Sequence, residues 1–236
     1  MTRVEDIRDV VLVHGAFADG SGWQPVYQRL VRNGFRVSVV QEPESGLDDD
    51  VAATRRIIDR HEGPVILVGH SWGGQIITDA GTHPRVAALV YVAGLVPDVG
   101  ESTASLHARM PAAGQSVIDI DGGFQIIDPA HFAADFAADV EPGLADFMAH
   151  AQVPIAKGSL DAPARAAAWR DKPSYGIVAG ADRTINPDLE RWMYERAGAV
   201  VTEVSGSSHV VMLSHPDVVV GVIESAAAGA LDATRG

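Results

Sequence analysis

The chain has 236 residues, 47% of them hydrophobic and 21% charged, with a formal net charge of −13 and no cysteine. That length allows one large domain with a real core. The acidic balance argues against a nucleic-acid partner, and the missing cysteines exclude disulfides, thiolate metal sites and a cysteine nucleophile.

The opening stretch, MTRVEDIRDVVLVHG, lacks the basic start and long apolar run of a signal peptide. No segment approaches the roughly 18 consecutive apolar residues that span a bilayer. A cytoplasmic chain with no membrane partner is expected. Short valine- and isoleucine-rich runs follow one another along the sequence: VVLVHG (10–15), RVSVV (36–40), VILVGH (65–70), VAALVYVAG (86–94), YGIVAG (175–180) and AVVTEVSG (199–206). They are apolar on both faces, as strands of a parallel sheet covered on both sides must be. Helical patterns lie between them. GWQPVYQRLVRNG is amphipathic and closes at Gly34. LDDDVAATRRIIDRHEG carries three acids in its first turn, where the helix dipole favours them. WGGQIITDAGTH, NPDLERWMYERAG with Asn186 as N-cap and Pro187 at the first helical position, and HPDVVVGVIESAAAGAL complete the set. The last few residues are expected to fray. This alternation predicts an α/β fold, with a mostly parallel six-stranded central sheet and helices on both faces. Residues 97–172 interrupt it. They are rich in alanine, and DPAHFAADFAADV and LDAPARAAAWRD read as short helices, so a small helical cap inserted within a single domain is expected.

GHSWGG (69–74) follows the apolar run VILV and precedes a helix. In a strand–turn–helix elbow a serine takes an unfavourable backbone conformation, and the residues two away on either side must be small; Gly69 and Gly73 are. Such a turn exposes the Ser71 hydroxyl above the sheet and aims the Trp72 amide, at a helix N-terminus, toward an oxyanion. His70 should point away from that hydroxyl and be structural. A serine nucleophile needs a base, and the base an orienting carboxylate. After this elbow the expected chain order is acid, then histidine, each in a loop following a strand. Asp182, just past YGIVAG, is the candidate acid, with Asp98 as the rival; His209, after a Gly-Ser loop, is the candidate base. The remaining histidines lie before the elbow, in helices, in the insertion or too far past the last strand. The second oxyanion donor is expected from the loop HGAF (14–17), at the amide of Ala16 with Phe17 as the rival. No metal or phosphate-loop motif is present, so no metal or cofactor is expected, and the acidic run Asp48–Asp50 reads as a solvated helix start.

Together HGAF, GHSWGG, GADRTI and SSHVVMLSHP resemble the α/β-hydrolase superfamily, in its small serine esterase and hydroxynitrile-lyase-like branch, over residues 10 to about 227. The resemblance implies a catalytic triad of Ser71, Asp182 and His209, and an oxyanion hole of the Ala16 and Trp72 amides. Dehalogenases and epoxide hydrolases of this superfamily carry an aspartate at the elbow, whereas this chain has Ser71. Hydroxynitrile lyases of the branch carry a lysine after the histidine, whereas this chain has Val210, as plant-type methyl esterases do. Cofactor-free haloperoxidases share the triad, which keeps perhydrolase chemistry open beside a lyase or a ligand-binding protein of the same fold. The expected substrate is a small neutral carboxylic ester or lactone, held by aromatics among Phe17, Trp23, Phe124, Phe132, Phe136, Phe147 and Trp169. The chain is expected to be a monomer or homodimer.

Overall fold

A computed structural model describes residues 7–114 and 116–233, with side chains as far as Ala230. The expected fraying of the last residues falls on 234–236, outside the described residues. The six apolar runs form strands β1 (Asp9–Val13), β2 (Arg36–Val39), β3 (Val65–His70), β4 (Val86–Val92), β8 (Ser174–Ala179) and β9 (Val200–Val204). They pair in parallel throughout, in the order β2-β1-β3-β4-β8-β9. Burial follows that order. The inner strands β1, β3, β4 and β8 are buried almost throughout, while the edge strands β2 and β9 are half exposed.

The connecting helices are α1 (Gln24–Arg32), α2 (Leu47–Ile58), α3 (Trp72–Ala80), α7 (Pro187–Arg196), a short α8 (Val211–Ser214) and α9 (Pro216–Ala233). Asn186 caps α7 by accepting the Asp188 amide at 2.9 Å, with Pro187 at the first position. The chain leaves β1 toward β2 on one side and returns as β3 on the other. The strand order therefore reverses at the carboxyl ends of β1 and β3, the crevice where open parallel sheets place ligands. The loop HGAF follows β1 and the GHSWGG turn ends β3, so both open into this crevice. Among the described residues no helix is long and apolar enough to cross a membrane.

The insertion between β4 and β8 differs in part from the expected helical cap. It contains α4 (Thr103–Arg109), α5 (Pro129–Phe136) and α6 (Pro142–His150), and also an antiparallel sheet of β5 (Val117–Ile120), β6 (Phe124–Ile127) and β7 (Ile155–Ala156). VIDI and FQII flank Asp121-Gly122-Gly123, and both glycines sit at φ 81°, so they form a hairpin turn that only glycine enters without strain. LDAPARAAAWRD is not a helix but two 3₁₀ turns, Ser159–Asp161 and Ala168–Arg170. Pro163 has no N–H to give a helix, and the amides of Arg165 and Ala166 are taken by the Asp79 carboxylate at 2.9 and 2.6 Å.

Candidate active site

Ser71 sits between β3 and α3 at φ 54° and ψ −121°, outside the regions that a non-glycine residue enters readily. Close backbone packing enforces this. A Cβ on Gly69 would collide with the Gly73 carbonyl, and one on Gly73 would lie 2.5 Å from the His14 carbonyl oxygen. The Ser71 amide donates to the Val92 and Ala93 carbonyls at 3.3 and 3.2 Å, and its own carbonyl accepts from Gly74 and Leu95. Ser71 is thus pinned on both sides, while its side chain lines a cavity.

The structure brings Asp182 and His209 together. His209 Nδ1 and Asp182 Oδ2 are 2.5 Å apart, and both side chains are fully buried. The other Asp182 oxygen accepts the amides of Thr184 and Ile185 at 2.6 and 3.0 Å, which fixes the carboxylate's orientation. His209 Nε2 is buried with no hydrogen-bond partner among the described residues. Asp98, the rival acid, is instead bound to Arg170 at the foot of the insertion, Nε to Oδ1 at 3.1 Å. His70 lies beneath His209, ring centroids 4.5 Å apart. Burial, with the neighbouring His209 adding to it, holds His70 well below its ordinary pKa. As a neutral imidazole its Nε2–H donates to the His209 carbonyl at 3.0 Å, so it anchors the backbone of the candidate base.

Beneath Asp182 lies a residue the sequence did not single out. Glu190 on α7 is fully buried and accepts the Ala179 amide at 3.0 Å. Burial first, then the charge of the nearby Asp182, push its pKa well above the ordinary value. The protonated, neutral form of Glu190 is therefore favoured, because burial and a neighbouring carboxyl group both penalise the charged one. In sequence it reads only as a favourable acid in a first helical turn.

On the other side, Ala16 and Phe17 are buried at the end of β1, with Phe17 at φ 64°. The Phe17 amide is occupied: it donates to Glu44 Oε2 at 3.3 Å. The Ala16 amide makes no hydrogen bond among the described residues. The Trp72 amide opens α3, where first-turn N–H groups have no partner within the helix. Its indole N–H donates to Asp50 at 3.0 Å, and Asp50 also accepts the Glu44 amide at 2.9 Å. Only part of the acidic run is therefore a solvated helix start. Asp48 is exposed against Arg165 and Asp49 is exposed, but Asp50 is buried because the Trp72 and Glu44 donors draw it inward. Glu42 completes this cluster through a close ion pair with His14 Nε2. Burial alone would lower the His14 pKa, but the Glu42 carboxylate overrides it and raises it to about 9. Burial raises Glu44 to about 9 and Asp50 to about 6.

The cavity beside Ser71 has a volume of about 450 Å³. Its wall is mostly small and aliphatic, with Leu95, Ile127, Leu160 and Ile185 among the lining residues, rather than aromatic as expected. Of the expected aromatics only Phe17 reaches it. Phe17 also borders a second cavity of about 300 Å³, together with Phe132, Phe136 and Phe147. Trp23 is in the core, Trp169 donates to the Pro97 carbonyl at 2.9 Å, and Phe124 lies in β6. His107 of α4 also lines the larger cavity.

Comparison with known proteins agrees with this architecture. The chain is 26% identical over 250 residues to the alpha/beta hydrolase nvfD of Aspergillus novofumigatus (strain IBT 16806), covering 94% of this chain and 98% of that protein. It is 32% identical over 117 residues to the carbendazim hydrolyzing esterase of Nocardioides sp. (strain SG-4G), covering 44% and 47% of the two chains. The crystal structure of polyneuridine aldehyde esterase shares the fold at a TM-score of 0.79 and 19% identity, over 93% of this chain and 98% of that one. The family model described as "Alpha/beta hydrolase family" matches residues 10–222, and the chain belongs to that family.

Proposed function

We propose that the protein is a serine carboxylic ester hydrolase acting on small neutral esters or lactones. The observation that carries this reading is the buried Asp182–His209 pair, whose free Nε2 is the one unpartnered imidazole nitrogen of His209, in a fold that presents Ser71 on a strained elbow at a mostly apolar cavity. Ser71 Oγ attacks the ester carbonyl carbon as His209 Nε2 takes its proton. Asp182 stabilises the imidazolium and holds its tautomer. The carbonyl oxygen, now an oxyanion, is received by the Ala16 and Trp72 amides, each worth roughly 3 kcal/mol of transition-state stabilisation. The tetrahedral intermediate collapses, the alkoxide leaves with the proton from His209, and an acyl-Ser71 ester remains. Water, deprotonated by His209, then attacks the acyl carbon; collapse returns the proton to Ser71 and releases the acid. The resemblance to proteins named as esterases points the same way. Val210, buried directly after His209, offers no cation for a cyanide leaving group.

The test is hydrolysis of p-nitrophenyl esters from acetate to octanoate, with Ser71→Ala and His209→Ala beside the wild type. Each variant is expected to lose about a million-fold in kcat, and a fluorophosphonate should label wild-type Ser71 stoichiometrically. An unlabelled Ser71 in folded wild type would overturn the reading.

A further inference from the structure

The larger cavity holds one imidazole that the proposed mechanism does not use. His107 projects from α4 of the insertion into the wall that Ser71 also lines. It makes no hydrogen bond among the described residues. The other polar groups there are largely committed. The Thr103 hydroxyl donates to Gln75 at 2.7 Å, the Thr184 hydroxyl to the Asp135 carbonyl at 2.9 Å, and the Asp135 carboxylate is paired with Arg183 at 3.0 Å. Among the described lining residues, Ser71 and Ser116 remain as hydroxyls and His107 as the one imidazole. His107 lies within electrostatic reach of His209 and Asp182. Burial first, then His209, hold its pKa below the ordinary value, with Asp182 opposing.

A neutral imidazole offers one N–H and one lone pair. A purely aliphatic acyl chain filling this cavity would strip water from both and replace it with nothing, leaving a desolvated polar group without a partner. A carboxylate would enter a mostly apolar wall with no lysine or arginine among its described lining residues to meet it. An uncharged oxygen satisfies the ring without bringing a charge. Resting on the reading of Ser71 given above, we infer that His107 is a specificity-determining residue, and that the preferred substrates are esters or lactones bearing a second uncharged oxygen, keto or hydroxyl, within a few bonds of the scissile carbonyl. Sites built around such a hydrogen bond discriminate against analogues that lack it more strongly than apolar pockets discriminate by size.

The experiment compares ethyl acetoacetate with ethyl butyrate, which share one carbon chain and differ by the 3-keto oxygen, in wild type, His107→Phe and His107→Gln. The readout is the ratio of kcat/KM for the two esters, and the comparison across variants cancels their intrinsic reactivities. His107→Phe keeps a flat ring and removes both hydrogen-bonding atoms, so the ratio should fall about 10- to 100-fold. His107→Gln restores a donor and an acceptor and should recover most of it. Thermal midpoints and fluorophosphonate labelling of Ser71 check that each variant is folded with its elbow intact. A ratio unchanged in His107→Phe, or equal losses on both esters, overturns the inference by reducing His107 to wall. Turnover of neither ester by a wild type whose Ser71 still labels overturns the substrate class and leaves the nucleophile standing. Failure of Ser71 to label removes the hydrolase reading itself.

Discussion

Holding Ser71 at φ 54° costs of order 1–3 kcal/mol, and it persists because the surroundings leave no other conformation open. Its amide and carbonyl are both tied to the β4 end, and the helix that follows packs against the β1 end with no room for a side chain at Gly73. The elbow was legible because it is local: a glycine at each flank, an apolar strand before and a helix after. Gly69→Ala should therefore destabilise the fold by about 3 kcal/mol, since the obstacle is the Gly73 backbone and not a side chain that can swing away. A urea titration measures this, and fluorophosphonate labelling of the folded fraction should slow as the turn distorts. An unperturbed midpoint would mean that the elbow is looser than its backbone contacts indicate. The Asp182–His209 contact was only half legible. The order acid-then-histidine narrows the candidates, but Asp98 also follows a strand, and what separates the two is that Asp98 is drawn to Arg170 while Asp182 reaches His209.

At the scale of elements, the β1–α1 loop and the start of α2 form one polar unit behind the proposed oxyanion hole. Glu44 holds the Phe17 amide, Asp50 holds the Trp72 indole, and His14 Nδ1 contacts the Gly15 carbonyl at 3.0 Å. Both residues that flank the Ala16 amide, and the ring of the residue carrying the other donor, are thus positioned by buried carboxyl groups or their partner histidine. Glu44 and His14 both have folded-state pKa values raised to about 9, from ordinary values of 4.5 and 6.5. Their protonated forms are therefore favoured in the folded state, and the stability they contribute is complete below the unfolded values and lost as pH rises toward 9. Unfolding free energy should fall between about pH 5 and 9. Glu44→Gln keeps an acceptor for Phe17 and cannot ionise. Relative to wild type it should gain about 4 kcal/mol of stability between pH 5 and pH 8. Denaturant titrations at the two pH values decide this; an equal offset at both would show that Glu44 does not hold its proton on folding.

At the scale of the whole molecule, the insertion is latched to the helix that begins at the elbow. Gln75 of α3 donates to the Ala162 carbonyl at 2.7 Å and accepts from Thr103, while Asp79, one turn on, accepts the amides of Arg165 and Ala166. The helix that carries the Trp72 amide thereby holds both ends of the segment that walls the cavity. Asp79→Ala would leave two amides without their acceptor, at a cost of about 2–3 kcal/mol, or a fall of roughly 5–10 °C in Tm. Asp79→Asn retains an acceptor and should cost less than half of that. Calorimetry of the two variants tests the latch, and equal midpoints for Asp79→Ala and wild type would remove it.

What the sequence determined by itself is whatever depends on neighbours along the chain. The six strands follow from short runs rich in valine and isoleucine, unbroken in the covered inner strands and interrupted by polar residues in the edge strands β2 and β9, the connecting helices from 3.6-residue periodicity and caps such as Asn186-Pro187, and the elbow from glycine spacing. The hairpin of β5 and β6 is equally local, yet the expected cap was helical: the Asp-Gly-Gly turn was its one signal within an alanine-rich stretch. Only the tertiary structure decided which charges lie inside. Asp50, Glu44 and Glu190 are indistinguishable in sequence from solvated acids such as Asp48 or Asp49. Their burial is set by donors far along the chain or across the fold: the Trp72 indole, the Phe17 amide and the Ala179 amide. The same holds for the cavity, whose aliphatic wall and single imidazole are assembled from the β1–α1 loop, α3, α4, the small sheet and the β8–α7 loop. A side chain's partner across the fold leaves no periodic trace in the sequence, because burial energy depends on where the chain returns and not on what stands beside it.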